Sequence, residues 1–272
     1  MLVGIAGAGF VGGAMSESFH QKQIEHIVYD KYKNMGSVSD LLDAELIFLC
    51  LPTKFREEAG YDKSAIYEVC DQLEDLNYSG TVVLKSTVEP GSTRTIAEKY
   101  SFEILHNPEF LTARTAFQDF HSQTHCVIGG QNLKSQGVKT LFSFYRDHYP
   151  QARISISTSD ESEAMKIFCN NFYAMKVMIF NEFYDVCQKS DISFTSVVDL
   201  MLRNNWINPM HTKVPGPDGK LGYGGACFTK DTNALLEHAK RTGSMHNVLE
   251  AAIKERNMLR DDDVNILKQD EE

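Results

Sequence analysis

The chain has 272 residues, enough to bury a substantial core and to fold as one large domain with a smaller companion. Its 27 Lys and Arg against 37 Asp and Glu give a net charge of −10, which argues against nucleic acid or an anionic membrane as the main partner. No apolar run is long enough to span a bilayer, and the six cysteines (50, 70, 126, 169, 187 and 227) are scattered without metal-ligand spacing, which suits a reducing cytoplasm and leaves no metal site to expect.

The first residues read directly into a strand, with no basic region or cleavage site, so no export signal is expected. Short apolar runs at 2–6, 26–29, 45–51, 81–85, 102–105 and 125–129 read as strands, separated by helical or polar stretches. That rhythm predicts an α/β fold, a Rossmann-type doubly wound parallel sheet over 1–157 with helices on both faces. Right-handed crossovers then bring the loops that follow the strands to one edge, where ligands bind.

The first of those loops is Gly7-Ala8-Gly9-Phe10-Val11-Gly12. Gly7 suits a tight turn, Gly9 a close approach of pyrophosphate to backbone, and Gly12 close helix–strand packing. Glycines also end strands for structural reasons alone, but here the run follows a strand, opens a helix and is answered by Asp30 at the end of the second strand. That carboxylate can accept the ribose hydroxyls and would repel a 2′-phosphate, which favours NAD over NADP; Lys31 beside it weakens the preference slightly. Pro52-Thr53, Ser86-Thr87 and Asn107-Pro108-Glu109 stand at later strand ends. Each alone reads as turn chemistry, yet together they converge on one crevice.

The second half reads as helical. Thr158 or Asp160 caps a long helix reaching about 189, with Glu161 or Glu163 completing a capping box. It is apolar on more than one face, which predicts a homodimer built on 160–189. Lys166 and Asn170 share a face. They fit a site that holds a substrate oxygen, or a snorkelling lysine beside a surface amide. A helix over 194–203 precedes a loop over 204–219, rich in Asn, Pro and Gly, whose Lys213 suits a phosphate or a solvated surface. Then comes Gly222-Tyr223-Gly224-Gly225-Ala226-Cys227-Phe228-Thr229-Lys230-Asp231, a glycine-rich loop holding one cysteine, with Lys230 and Asp231 a turn away. A nearby ammonium favours the thiolate, the nucleophilic form. Helices follow over 230–242 and 246–260, making 158–260 an all-α domain with a long central helix, and 261–272 reads as an acidic tail.

With GAGFVG at 7–12, KSTVEPGST at 85–93, NPEFL at 107–111, EAMKIFCNNFYAMKVMIFNE at 163–182 and GYGGACFTKD at 222–231, the chain resembles the UDP-glucose/GDP-mannose dehydrogenase family over roughly 1–260. The resemblance implies oxidation of a nucleotide sugar, a UDP-sugar above all, from C6 alcohol to carboxylate in two NAD-dependent steps. It makes Cys227 the nucleophile that carries a thiohemiacetal and then a thioester. Lys166 and Asn170 become oxyanion stabilisers, Asp231 and Thr87 the pair that positions water, and Glu109 the carboxylate tied to thioester hydrolysis. Gly7, Gly9, Phe10, Val11, Gly12, Asp30, Pro52, Thr53, Thr87 and Lys230 fall to the cofactor. Glu109, Phe110, Leu111, Lys166, Asn170, Lys213, Tyr223, Gly224 and Gly225 fall to the substrate.

Three departures from the family pattern stand out. The family's third, nucleotide-binding-type domain is expected to have no counterpart within these 272 residues, whose last helix falls where the family's linker helix would. Ala113 beside Arg114 replaces an acid, and Thr229 replaces a proline. Two other readings compete. One is a two-electron β-hydroxyacid-type dehydrogenase, which also has a Lys-x-x-x-Asn pair but no use for Cys227. The other is a non-catalytic NAD- or nucleotide-binding remnant.

Overall fold

The computed structural model describes residues 1–112 and 114–260, which divide into two compact units: Met1–Thr53 with Asp62–Lys166, and Lys54–Tyr61 with the chain from Ile167 onward. In chain order the elements of the first unit are β1 (Val3–Ala6), α1 (Phe10–Gln21), β2 (His26–Tyr29) and β3 (Leu46–Leu49), with a 3-10 turn at Val38–Leu41. A hairpin of β4 (Phe55–Arg56) and β5 (Gly60–Tyr61) interrupts it and belongs to the second unit. The first unit resumes with α2 (Ser64–Asp75), β6 (Thr81–Leu84), α3 (Ser92–Ala97), β7 (Glu103–His106), α4 (Ala116–His121), β8 (His125–Gly130), α5 (Gln136–His148) and β9 (Arg153–Thr158). The start of α6 (Ser159–Lys189) completes it.

The seven strands lie in the order β2-β1-β3-β6-β7-β8-β9. Alternate side chains go to opposite faces, so each strand feeds two cores. Ile47, Leu49, Val82 and Leu84 pack on one face, and Leu46, Phe48 and Val83 on the other. All seven are fully buried, worth about 1.5–3 kcal/mol each, and such two-faced burial is why these runs are apolar throughout.

The sheet corrects the all-parallel expectation. The pairs from β2 to β7 are parallel, but β8 runs antiparallel to β7, with His106 opposite Gly129, and β9 runs parallel to β8. The intervening α4 has six residues, about 9 Å of helix, too short to carry the chain back along the sheet. The loops after β1, β2, β3, β6 and β7 therefore share one edge, and those after β8 and β9 do not. The seventh strand, β9, escaped the sequence reading because it is polar and half-exposed, RISIST.

The first turns of α6 anchor into the first unit. Thr158 and Glu161 form the expected capping box: the Glu161 amide donates to Thr158 Oγ1 at 3.2 Å and the Thr158 amide to Glu161 Oε2 at 2.9 Å. Glu163 instead accepts from the amides of Gly91 and Thr93 and from the Thr93 hydroxyl. These ties carry the first unit to Lys166, nine residues past the 157/158 boundary predicted from sequence. The predicted acidic tail at 261–272 and the Ala113 substitution lie outside the described residues.

A buried histidine joins β7 to α6. His106 is fully buried, its Nδ1 lies 2.8 Å from Ser162 Oγ, and its Nε2 has no hydrogen-bond partner among the described residues. Burial, with the nearby Lys85 and Lys166 ammonium groups, pushes it down to about 3. Below the ordinary histidine value of 6.5 the unfolded chain takes a proton that the folded chain refuses, so stability falls as pH drops from 6.5 toward 3. Urea unfolding should lose about 2 kcal/mol between pH 6.5 and pH 5 on this account, and His106→Gln should flatten that slope. An unchanged slope in the variant would remove the histidine as its cause.

The second unit is helical, with the rest of α6, α7 (Phe194–Leu202), α8 (Ala226–Thr242) and α9 (Asn247–Leu259). Among the described residues its one departure from the all-α expectation is the β4–β5 hairpin, whose Phe55 and Tyr61 pack with Ile167, Ala234 and Leu235. Along α6, Ala174, Met178 and Phe180 are buried, while Phe168, Phe172, Ile179, Phe183 and Val186 remain exposed. No helix among the described residues is long and apolar enough to cross a membrane.

Candidate active site

In the first unit the predicted residues gather at the shared strand edge. Gly7 holds a φ of +95°, and a Cβ there would lie 2.5 Å from the Cys50 carbonyl. A Cβ on Gly12 would lie 1.8 Å from the Gly7 carbonyl, so the turn and helix approach only because both are glycine. A Cβ on Gly9 would meet nothing within 4 Å, so backbone stands open at the mouth of α1. No side chain caps that helix and its first turn, starting with Phe10 and Val11, carries no acid. Its amides suit a phosphate. The edge therefore fits a dinucleotide, at the point between β1 and β3 where the strand order reverses.

Asp30 is more occupied than its sequence position suggested. Its Oδ2 accepts from the Ala8 amide at 2.7 Å, and its Oδ1 from the amides of Tyr32 and Lys33 at 3.0 and 2.9 Å. The carboxylate thus shapes the loop itself and retains one acceptor position on Oδ2. Lys33 rather than Lys31 turns toward the glycine loop, its ammonium donating to the Ala8 carbonyl at 2.8 Å. Lys31 pairs with Glu68.

The later strand ends are linked in turn. Ser86 Oγ donates to the Leu51 carbonyl at 2.7 Å and accepts from the Leu51 amide at 3.0 Å. Exposed Pro52 leads to buried Thr53, whose hydroxyl donates to the Thr87 carbonyl at 2.8 Å. Lys85 is 2 % exposed and donates to Asn107 Oδ1 at 2.9 Å and to the Pro108 carbonyl at 3.3 Å. Burial, helped by the nearby Lys166 ammonium, pushes it down to about 8. Next along the chain, Lys166 donates to the Glu109 carbonyl at 2.6 Å and to Glu109 Oε1 at 3.1 Å, with both side chains buried. The Leu111 amide donates to Glu109 Oε2 at 2.6 Å, and the exposed ring of Phe110 has its centroid 5.4 Å from the Lys166 nitrogen.

In the second unit, Cys227 is not in the loop predicted for it. Helix α8 begins at Ala226, four residues earlier than expected, and places Cys227 in its first turn. Helix dipoles there favour negative charge on sulfur. Of the six cysteines it alone is exposed. Gly225 caps α8 with a φ of +80°, open to glycine and few others. A Cβ on Gly224 would lie 2.0 Å from Arg260 Nη1. Tyr223 is buried, its carbonyl accepting from Arg256 Nε at 3.0 Å and its hydroxyl lying 3.2 Å from Thr232 Oγ1. Thr229, in the proline position, is buried against Arg256 Nη2 at 3.4 Å. Lys213 stands exposed in the preceding loop.

Asp231, one turn after Cys227, is fully buried. Its Oδ1 accepts from Tyr61 at 2.5 Å and from Lys230 at 2.6 Å, and its Oδ2 from Asn170 at 2.6 Å. Burial opposes the charge, but the Lys230 ammonium and these hydrogen bonds outweigh it and hold the carboxyl below its usual range. Asn171 completes the set, its amide donating to the Asp231 carbonyl at 3.1 Å.

Sequence reasoning missed Tyr61, Asn181, Arg256 and Arg260. Asn181 Oδ1 accepts from the Gly222 amide at 2.9 Å, and Arg260 Nε donates to the Leu221 carbonyl at 2.7 Å, so all but Tyr61 brace the chain leading to Cys227. The one signal was Asn181 itself, polar in an apolar helix.

The sequence model of the NAD binding domain of the UDP-glucose/GDP-mannose dehydrogenase family matches residues 33–148, and that of the family's central domain matches 160–257. UDP-glucose 6-dehydrogenase of Rickettsia felis is 31% identical over 236 residues, 82% of this chain and 50% of that protein. The Campylobacter jejuni enzyme of the same name is 27% identical over 247 residues, covering 88% and 60%. This chain spans about half the length of the curated relatives it matches. A UDP-glucose dehydrogenase from Pyrobaculum islandicum shares the fold with a TM-score of 0.83 at 20% identity, over 94% of this chain and 68% of that one. A 3-hydroxyisobutyrate dehydrogenase from Mycobacterium tuberculosis does so with a TM-score of 0.75 at 17% identity, over 94% and 92%. The chain belongs to the UDP-glucose/GDP-mannose dehydrogenase family.

Proposed function

We propose that this protein is an NAD-dependent nucleotide-sugar dehydrogenase that oxidises UDP-glucose at C6 to UDP-glucuronate through an acyl group carried on Cys227. The observation that carries the reading is an exposed thiol in the first turn of α8 with a buried, ionised carboxylate one turn further on. Gly7, Gly9, Phe10, Val11, Gly12, Asp30, Pro52, Thr53, Thr87 and Lys230 hold NAD, which when bound accepts the hydride of each oxidation. Cys227 adds to the C6 aldehyde, and the thiohemiacetal gives a thioester that water then cleaves. Lys166 and Asn170 donate hydrogen bonds to the oxyanion. Asp231 and Thr87 orient the water, and Glu109 supports hydrolysis. Phe110, Leu111, Lys213, Tyr223, Gly224 and Gly225 contact the substrate. An exposed catalytic thiol is best preserved in a reducing cytoplasm, where we place the protein.

NADH formed per sugar consumed tests the reading. Two mark the nucleotide-sugar oxidation; one marks the β-hydroxyacid-type alternative, which the 3-hydroxyisobutyrate dehydrogenase likeness supports by fold alone. No NADH with any nucleotide sugar leaves the non-catalytic remnant.

NAD should bind more tightly than NADP by tenfold or so, ~1.4 kcal/mol, because a 2′-phosphate would bring negative charge to Asp30. Titration that finds equal or tighter NADP binding would detach Asp30 from the ribose. The protein should also form a homodimer through α6, since Phe168, Phe172, Ile179, Phe183 and Val186 leave an apolar stripe on that helix. Light scattering at micromolar concentration should return twice the monomer mass, and the monomer mass would defeat this assignment.

A further inference from the structure

The hairpin Phe55–Tyr61 ends in a tyrosine that meets the α8 carboxylate. Tyr61 is 2 % exposed, its ring packed among Phe55, Ile167, Ala234 and Leu235. Its hydroxyl donates to Asp231 Oδ1 at 2.5 Å, and its ring centroid lies 4.5 Å from the Lys230 nitrogen that reaches the same oxygen. Arg241, near the end of α8, donates to the Ala59 carbonyl at 3.3 Å and ties down the hairpin's turn. A carboxylate oxygen accepts about two hydrogen bonds in its plane, so Tyr61 and Lys230 fill Oδ1. Among the described residues Oδ2 takes Asn170 alone and has room for one more donor.

We propose that Tyr61 is a positioning residue for thioester hydrolysis, its phenol fixing Asp231 through Oδ1 so that Oδ2 is the oxygen that meets the water. The hydrolytic role rests on the dehydrogenase reading above. In the step itself the water oxygen bonds to the acyl carbon while one water proton passes to Asp231 Oδ2. The C–S bond then breaks, leaving Cys227 as thiolate and the sugar acid, which ionises. Cys227 and Asp231 are four residues apart on α8, on one face of the helix. The charged and titratable groups facing Asp231 are Lys230 from its own helix and Tyr61 from the hairpin; α6 contributes the neutral amides of Asn170 and Asn171.

Tyr61→Phe keeps the ring and removes the hydroxyl. In the 272-residue chain without substrate, carbon NMR of the Asp231 carboxyl should show its titration raised by about one to two units in the variant. With NAD and UDP-glucose, the first hydride transfer should keep its wild-type rate. Release of the sugar acid should slow about tenfold, acyl-Cys227 should accumulate, and the acid limb of kcat should move to higher pH. A merely structural tyrosine would lower the melting temperature without moving that limb. The proposal is overturned if Asp231 titrates as in wild type, or if hydrolysis keeps its rate while the titration shifts. Wild-type protein that makes no NADH from nucleotide sugars would remove the reading and the hydrolytic role with it, while the titration would still report whether Tyr61 governs Asp231.

Discussion

Cys227→Ser should slow steady uronate formation by roughly three orders of magnitude or more while leaving NAD and substrate affinity near wild type. The first oxidation removes hydride from an alcohol and has no need of a thiol. The second must act on a tetrahedral adduct, which a thiolate forms readily and a largely protonated serine hydroxyl forms poorly. The substitution is nearly isosteric at an exposed position, so folding should survive and the loss should fall on chemistry. Wild-type turnover in the variant would make the cysteine structural.

Lys166→Met should fail differently. Loss of one oxyanion donor costs on the order of 3 kcal/mol, about a hundredfold in kcat. The same change strips a buried carboxylate of its partner, leaving Glu109 with the Leu111 amide as its remaining donor. Breaking such a pair costs about 3 kcal/mol of stability, which lowers the melting temperature by roughly 6–12 °C. A drop in both kcat and melting temperature, with NAD affinity kept, is the expected signature. A kcat within threefold of wild type would assign the lysine to stability alone.

The residues legible in the sequence are those whose demand is local. Gly12 announces itself because a side chain would collide with the Gly7 carbonyl five residues back, and Gly7 because its own positive φ calls for glycine. Lys166 and Asn170 were legible as a pair because four residues make one helical turn. Tyr61 was not, since its partner Asp231 lies 170 residues on and nothing near it in sequence marks a hairpin that joins the second unit. Arg256 and Arg260 carried no signal in the sequence, since an arginine on a helix is ordinarily solvated, yet both are buried beneath the chain that leads to Cys227. The position of Cys227 itself was misread, because glycines at 222, 224 and 225 suggested a loop running to Lys230, when Gly225 in fact caps a helix. The reversal at β8 escaped for a related reason: strand direction depends on how far the intervening chain travels, which hydrophobic pattern does not record.

The central claim is that Cys227 carries the sugar as an acyl group, and rapid quenching during turnover tests it most directly. Wild-type protein mixed with NAD and UDP-glucose, quenched in acid and analysed by peptide mass spectrometry, should carry the uronyl mass on the peptide containing Cys227. The adduct should be absent without NAD and in Cys227→Ser. Uronate accumulating over the same interval with Cys227 unmodified, or formed at the wild-type rate by Cys227→Ser, would contradict the account.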